Sequence, residues 1–179
     1  MLERILGELT KQSVPDLADF LGEQVGFITT MVDRITPRAT ESTRQAVQDE
    51  LGIDDPAAIA TEPFSEWVLA GDFKSPRPAW HAVGAEFVDD VVPHELRKLW
   101  LLNGAHSLMA YAATIAGHQT VSDAIADPVV RGWVDEWWDV AQRQLPLEPQ
   151  IVSEYRAALL ERFGNPRMRD QLSRIAADG

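Results

Sequence analysis

Between Lys98 and Met109 the chain reads KLWLLNGAHSLM, helical in spacing and apolar at almost every angle. Advancing ~100° per residue from Lys98, Leu99 falls at about 100°, Trp100 at about 200°, Leu101 at about 300°, Leu102 at about 40°, Ala105 at about 340°, Leu108 at about 280° and Met109 at about 20°. A helix that is hydrophobic all round is a buried helix. Three residues break the pattern: Lys98, Asn103 and His106, at about 0°, 140° and 80°, share one side with the imidazole in the middle. An unpaired buried polar group costs roughly 1–3 kcal/mol, and a charge costs more. Either each is satisfied locally, with Lys98 snorkelling, Asn103 bonding a backbone group and His106 sitting as a paired core histidine, or the flank lines a pocket for a polar substrate. Gly104, which costs about 1 kcal/mol in mid-helix relative to Ala, allows something to approach closely.

The rest of the chain predicts a mainly α fold, a multi-helix domain with a few short strands. Apolar residues at three- and four-residue spacing mark helices over 2–12 and 15–24. A polar surface helix over 40–52 ends at Gly52, and residues 54–56 form a loop. Residues 57–70 and 86–92, richer in Ile, Phe, Trp and Val, read as extended segments on either side of a turn-rich stretch at 71–78. The long helix runs over 93–117, with Pro93 in its first turn. Thr120 caps a short helix. Asp127-Pro128 opens another that runs to about residue 145. An amphipathic helix over 151–163 is ended by Gly164, and Asn165-Pro166 begins the last helix. With 179 residues, a single domain over 1–179 is the expectation, and such a chain can bury roughly 70 % of its unfolded surface. Both ends are abrupt, as in a piece of something larger.

Composition removes several chemistries. With no cysteine there is no disulfide, thiolate zinc site, iron–sulfur cluster or cysteine nucleophile. The net charge of −12 and the lack of any Lys/Arg cluster speak against nucleic acid. No apolar run is long enough for a membrane span and no signal peptide is visible, so a cytoplasmic protein is expected. His81, His94 and His118 are not followed four residues on by a carboxylate or histidine, so no metal site is expected. Ser107 follows His106 directly, and adjacent helical residues diverge by ~100°, which argues against a Ser–His pair. Trp133, Trp137 and Trp138 suit core or domain-interface packing.

The stretch His94–Ser107, HELRKLWLLNGAHS, resembles the Lys-x4-Asn-x2-His signature of the polyol-specific long-chain dehydrogenases, the mannitol dehydrogenase family. Met31–Pro37 (MVDRITP) is similar to a second hallmark of that family. Arg77-Pro78-Ala79-Trp80, Phe87–Val91, Glu161–Pro166 and Arg174–Gly179 follow in family order. The resemblance implies a C-terminal substrate domain akin to that of 6-phosphogluconate dehydrogenase. The family's Rossmann half is not expected here, because no two glycines are separated by one residue and no dinucleotide turn can form.

By that resemblance the activity is oxidation of a secondary alcohol in an open-chain polyol, or the reverse ketose reduction, by hydride exchange with NAD or NADP and without a metal. Lys98 matches the general base. Free lysine titrates near ~10.4, and burial lowers that value toward one useful for catalysis. Asn103 matches an oxyanion-stabilising amide. His106 matches the group that orients the hydroxyl, and Asp33 and Arg174 match substrate-binding residues. For the last two a structural part is equally open: an ion pair or cap for Asp33 with Arg34, and a helix-dipole partner for Arg174. The resemblance also implies a lysine eight residues beyond Arg174 and a second oxyanion asparagine upstream, neither of which this chain contains. The partners implied are a small polyol or ketose and a nucleotide-binding domain, and the chain alone is expected to be inactive. The competing reading is a helical interaction or scaffold domain with a vestigial site. Lys98, Asn103, His106 and Asp33 around one open cavity would favour the enzyme, and Lys98 turned to bulk solvent would favour the scaffold.

Overall fold

The computed structural model describes residues 2–178. Where length suggests one domain, the chain divides into two compact units, residues 1–32 with 66–91 and residues 33–65 with 92–179. No helix among the described residues is long and apolar enough to cross a membrane.

The first unit opens with two helices, α1 (Leu2–Ser13) and α2 (Pro15–Gln24), close to their predicted spans. Pro15 stands at the start of α2, where its missing N–H is not needed. A three-stranded sheet follows, of order β1 (Thr29–Asp33), β2 (Glu66–Ala70), β3 (Ala85–Phe87). β2 and β3 are parallel, with Val68 opposite Glu86. Both fall in the regions predicted to be extended. β1 was not predicted, for a physical reason: its inward positions are Met31 and Asp33, so the alternation includes a buried acid and does not read as hydrophobic. Met31, Val68, Ala70 and Val91 form the small core beneath the sheet. The connection from β2 to β3 carries a 3₁₀ turn at Trp80–Val83. There the Trp80 ring lies 5.1 Å from that of Trp67, and the Arg77 guanidinium sits 3.6 Å from the Phe87 ring centroid. The stretch Arg77–Trp80 thus packs its own unit.

The second unit is helical. α3 (Glu41–Leu51) is capped by the Thr40 hydroxyl, which accepts from the Thr43 N–H, and closes at Gly52 with φ of +69°. The central helix α4 is built of four successive pieces: Val92–Arg97 in α geometry, Lys98–Asn103 in π geometry, Gly104–Leu108 in α and Met109–Ala113 in π. Then come α5 (Val121–Ala126), α6 (Pro128–Ala141), α7 (Pro149–Phe163) and α8 (Leu172–Asp178). Thr120 and Asp127 cap α5 and α6 as expected. Leu101, Leu102, Ala105 and Met109 of α4 pack with Val130, Val134 and Trp138 of α6 and Val152, Leu159 and Phe163 of α7.

Two expectations change here. α4 is buried over a broad side rather than all round, for Leu99 is 52 % exposed. The last helix begins at Leu172, not at Asn165-Pro166. The Asn165 side chain instead accepts from the Arg167 N–H, Arg169 adopts a left-handed φ of +48°, and Gln171 pairs with Thr120 in an isolated bridge.

The π segment has a visible support. The Gly104 N–H donates to the Leu99 carbonyl, five residues back, so the ladder has slipped by one. Within the slipped stretch the Trp100 carbonyl accepts the Trp137 indole N–H at 2.7 Å, and the Leu101 carbonyl accepts that of Trp138 at 2.8 Å. Leaving the Leu101 carbonyl, the buried one of the two, unpaired would cost roughly 1–3 kcal/mol. Gly104 lets the first indole in, since a Cβ there would lie 2.6 Å from Trp137 Nε1 and 2.8 Å from its Cζ2. Gly104→Ala is therefore expected to expel the Trp137 ring and to cost about 1–3 kcal/mol by overpacking, despite alanine's better helix propensity. Denaturant unfolding followed by tryptophan fluorescence checks this, and a stabilised variant with unchanged emission would contradict it.

Candidate active site

The π segment changes the azimuths of the candidate residues. A turn closed five residues on rotates less per residue than the ~100° of an α-helix. Asn103, five residues after Lys98, therefore stands nearer to the azimuth of Lys98 than the about 140° of a regular helix, and His106 follows three residues later. The side chains differ in depth: Asn103 is exposed, Lys98 half-buried and His106 buried. The small cavity that His106 lines includes none of Lys98, Asn103 or Asp33.

Asp33 is wholly buried and its partner is not Arg34. Arg162 Nη2 lies 2.7 Å from Asp33 Oδ1, and Arg162 Nη1 lies 3.0 Å from Oδ2. The Tyr155 hydroxyl donates to Oδ2 as well. The other edge of the same guanidinium grips Glu62, with Nε at 2.9 Å from Oε2 and Nη2 at 2.8 Å from Oε1. Glu62 Oε1 also accepts the Ile35 N–H, and Arg34 donates to the Glu62 carbonyl at 2.9 and 3.1 Å. Burial pushes the Asp33 carboxyl up, but the Arg162 and Tyr155 hydrogen bonds and the positive charges of Arg162 and Lys98 outweigh it and hold it below the usual carboxylate range. Tyr155 is raised by burial and by the facing carboxylate, so its proton stays on. The charge of Lys98 thus acts on Asp33, although Asp33 gives its hydrogen bonds to Arg162 and Tyr155.

His106 stacks at 4.8 Å on the Phe163 ring, and its Nε2 is buried without a hydrogen-bond partner. Burial above all lowers its pKa, to about 4. Asp170 and Asp33 oppose that shift, and Arg174 and Arg162 add to it. Arg174 occupies the first turn of α8, where the helix dipole disfavours a cation, so the dipole reading of this residue does not hold. Asp170 holds it instead, at 2.6 Å from Nη2 and 3.2 Å from Nε. Sequence reasoning gave no part to Asp170, Glu62, Tyr155 or Arg162. Arg162 lay inside a quoted motif, ERFGNP, and a buried arginine opposite a strand-end acid was the one available signal. His118, read as unpartnered, meets Asp127 at 3.0 Å across nine positions of chain.

The central helix of the second unit thus carries an amine, an amide and an imidazole at three different depths. The chain matches the family model of the mannitol dehydrogenase C-terminal domain over residues 90–179 and that of the mannitol dehydrogenase Rossmann domain over residues 3–82. It belongs to the mannitol dehydrogenase family. Among its relatives, D-mannonate oxidoreductase of Escherichia coli is 43 % identical over 179 residues, covering 98 % of this chain and 36 % of the relative. Mannitol 2-dehydrogenase of Aspergillus fumigatus is 40 % identical over 169 residues, covering 90 % and 33 %. The solved structure of Pseudomonas fluorescens mannitol 2-dehydrogenase in ternary complex with NAD and D-mannitol superposes with a TM-score of 0.82 at 35 % identity, covering 97 % of this chain and 36 % of that one. The chain therefore spans about a third of the length of the curated relatives it matches. The two model matches meet between residues 82 and 90, so the chain carries sequence related to both halves of the family.

The buried imidazole has a measurable consequence. His106 takes up a proton at about 4 when folded and at its ordinary 6.5 when unfolded. The unfolded state binds the proton first, so this contribution is complete above pH 6.5 and is lost as the pH falls toward 4. Urea unfolding at stepped pH should show stability declining across that window, and His106→Gln should flatten the decline. Identical profiles for the two proteins would place the neutral imidazole elsewhere.

Proposed function

We propose that the chain carries the substrate-side residues of an NAD(P)-linked polyol dehydrogenase, one that interconverts a sugar alcohol such as mannitol with its ketose, or acts on a related uronate. The observation that carries this reading is the family match over residues 90–179, the stretch that contains Lys98, Asn103 and His106 along α4. It is supported by a solved relative whose complex holds NAD and D-mannitol.

When bound, the nicotinamide supplies the hydride acceptor. Among the described residues, two features speak against a phosphate cradle in this chain. No two glycines are spaced by a single residue, and none of the three strands runs straight into a helix: the next helical turns begin at Glu41, Trp80 and Val92. A nucleotide-binding domain, in cis or in trans, holds the cofactor in this reading.

The remaining roles fall to this chain. Lys98 is the residue that accepts the hydroxyl proton in this reading, and the Asp33 carboxylate, already ionised, stabilises the charge it then carries. The Asn103 amide, exposed and so free to meet a ligand, donates an N–H to the oxygen as negative charge develops on it. His106, held neutral by burial, hydrogen-bonds a hydroxyl of the substrate and sets its orientation. Arg174 binds a distal hydroxyl or, in a uronate, the carboxylate.

The test combines this chain with a family nucleotide-binding domain, fused or added, and screens mannitol, sorbitol, arabinitol, fructuronate and tagaturonate with NAD and with NADP. The chain alone should turn over none of them. Lys98→Ala should lower turnover by about 10²–10⁴-fold while leaving circular dichroism and melting unchanged. Undiminished rates would remove Lys98 as proton acceptor, and silence with every substrate and cofactor would remove the dehydrogenase reading.

A further inference from the structure

Asp170 belongs to none of the motifs, yet it stands between two of the candidate residues. It is 5 % exposed. Its Oδ1 accepts both hydrogen bonds from Arg174, while its Oδ2 is buried with no partner. His106 Nε2 is in the same condition. Both residues line one cavity of about 10 Å³, which Ser122, Asn165 and Arg162 help to enclose. That is about the space one water needs, and the walls are polar enough to hold it.

The backbone around Asp170 is fixed. Its carbonyl accepts the Val121 N–H at 3.0 Å, and the Leu172 N–H donates to the Gln119 carbonyl at 2.9 Å. The preceding Arg169 is left-handed at φ +48°, a conformation costing a residue with a Cβ roughly 1–2 kcal/mol. Such strain persists only where the surroundings over-determine it. Here it turns the chain so that the next side chain enters the cavity.

We propose that Asp170 is a positioning residue for two groups at once, gripping Arg174 directly with one carboxylate oxygen and His106 through a single bridging water with the other. This rests on the reading of His106 and Arg174 as substrate-side residues. The carboxylate only accepts, so the water donates to it and its oxygen accepts from the ring. The negative charge favours the imidazole tautomer that turns its N–H toward it, which puts the proton on Nε2. The lone pair of Nδ1 is then the acceptor left for a hydroxyl hydrogen. The other charges facing the ring are Arg174, Arg162 and Asp33. Of these Arg162 is already committed to Asp33 and Glu62, and Arg174 to Asp170 itself.

The experiment is long-range ¹H–¹⁵N NMR of the imidazoles in the ¹⁵N-labelled 179-residue protein at neutral pH. His106 is assigned by its absence in His106→Gln. The expected result is a neutral ring with its proton on Nε2. In Asp170→Asn the proton population should move toward Nδ1, and the Arg174 Nε–H should lose its protection from exchange. A wild-type ring protonated on Nδ1 would overturn the proposal, as would an Asp170→Asn spectrum with the His106 signals unmoved. If that variant does not fold, the wild-type tautomer decides alone. None of these readouts needs turnover. An Nε2–H ring, with no turnover of any substrate by the chain combined with a nucleotide-binding domain, would spare the positioning role and sink the dehydrogenase reading. The reverse pair of results would do the opposite.

Discussion

One guanidinium organises the acidic interior of the helical unit. Arg162 meets Asp33 along one edge and Glu62 along the other, and four hydrogen bonds of 2.7–3.0 Å engage the two carboxylates. All three side chains are nearly or wholly shielded from water. Breaking a buried pair by removing one partner typically costs about 3–5 kcal/mol, since the other charge is left uncompensated. In this cluster two acids would be stranded. Through Glu62 the arrangement also fixes the backbone of Ile35 and the side chain of Arg34. Through Asp33 it fixes the Tyr155 hydroxyl, whose ring carries the Arg97 guanidinium at 4.2 Å. Two acids against one base leave a net negative charge, and Lys98 is close enough to feel it. The same cluster that anchors the chain therefore sets the electrostatic setting of the candidate base.

The second constraint is geometric. In a regular α-helix Lys98 and Asn103 would stand about 140° apart. The π segment narrows that angle, and the two indoles of α6 engage the carbonyls of the slipped ladder. π turns recur at functional sites because they re-aim side chains without ending the helix. Here one glycine and two adjacent tryptophans maintain the turn.

Much of the framework was readable in the residues. Caps at Thr120 and Asp127 work by short local hydrogen bonds, so local spacing reveals them. The polar flank of α4 was visible because three hydrophilic residues interrupt an apolar run. What stayed hidden depends on partners distant in sequence. β1 escaped because Asp33 is matched by an arginine 129 positions away. The π slip was invisible because helical period was assumed constant, and its partners lie 37 positions on. The turn at 165–171 passed for helix because its strained residue is an arginine, with none of the glycine that marks left-handed backbone. Asp170 went unremarked because nothing in its immediate neighbours says that it will be buried.

A helix that accommodates a π turn stores one surplus residue. Loss of a single codon between Lys98 and Asn103 would restore the ordinary winding and keep most of the buried apolar side in place. Residues beyond the deletion would then keep nearly the same azimuth relative to Lys98, because an ordinary turn with one residue fewer spans about the same rotation. Within this architecture the surplus residue is a local loop in the ladder, and shedding it would leave amine and imidazole on their present bearings.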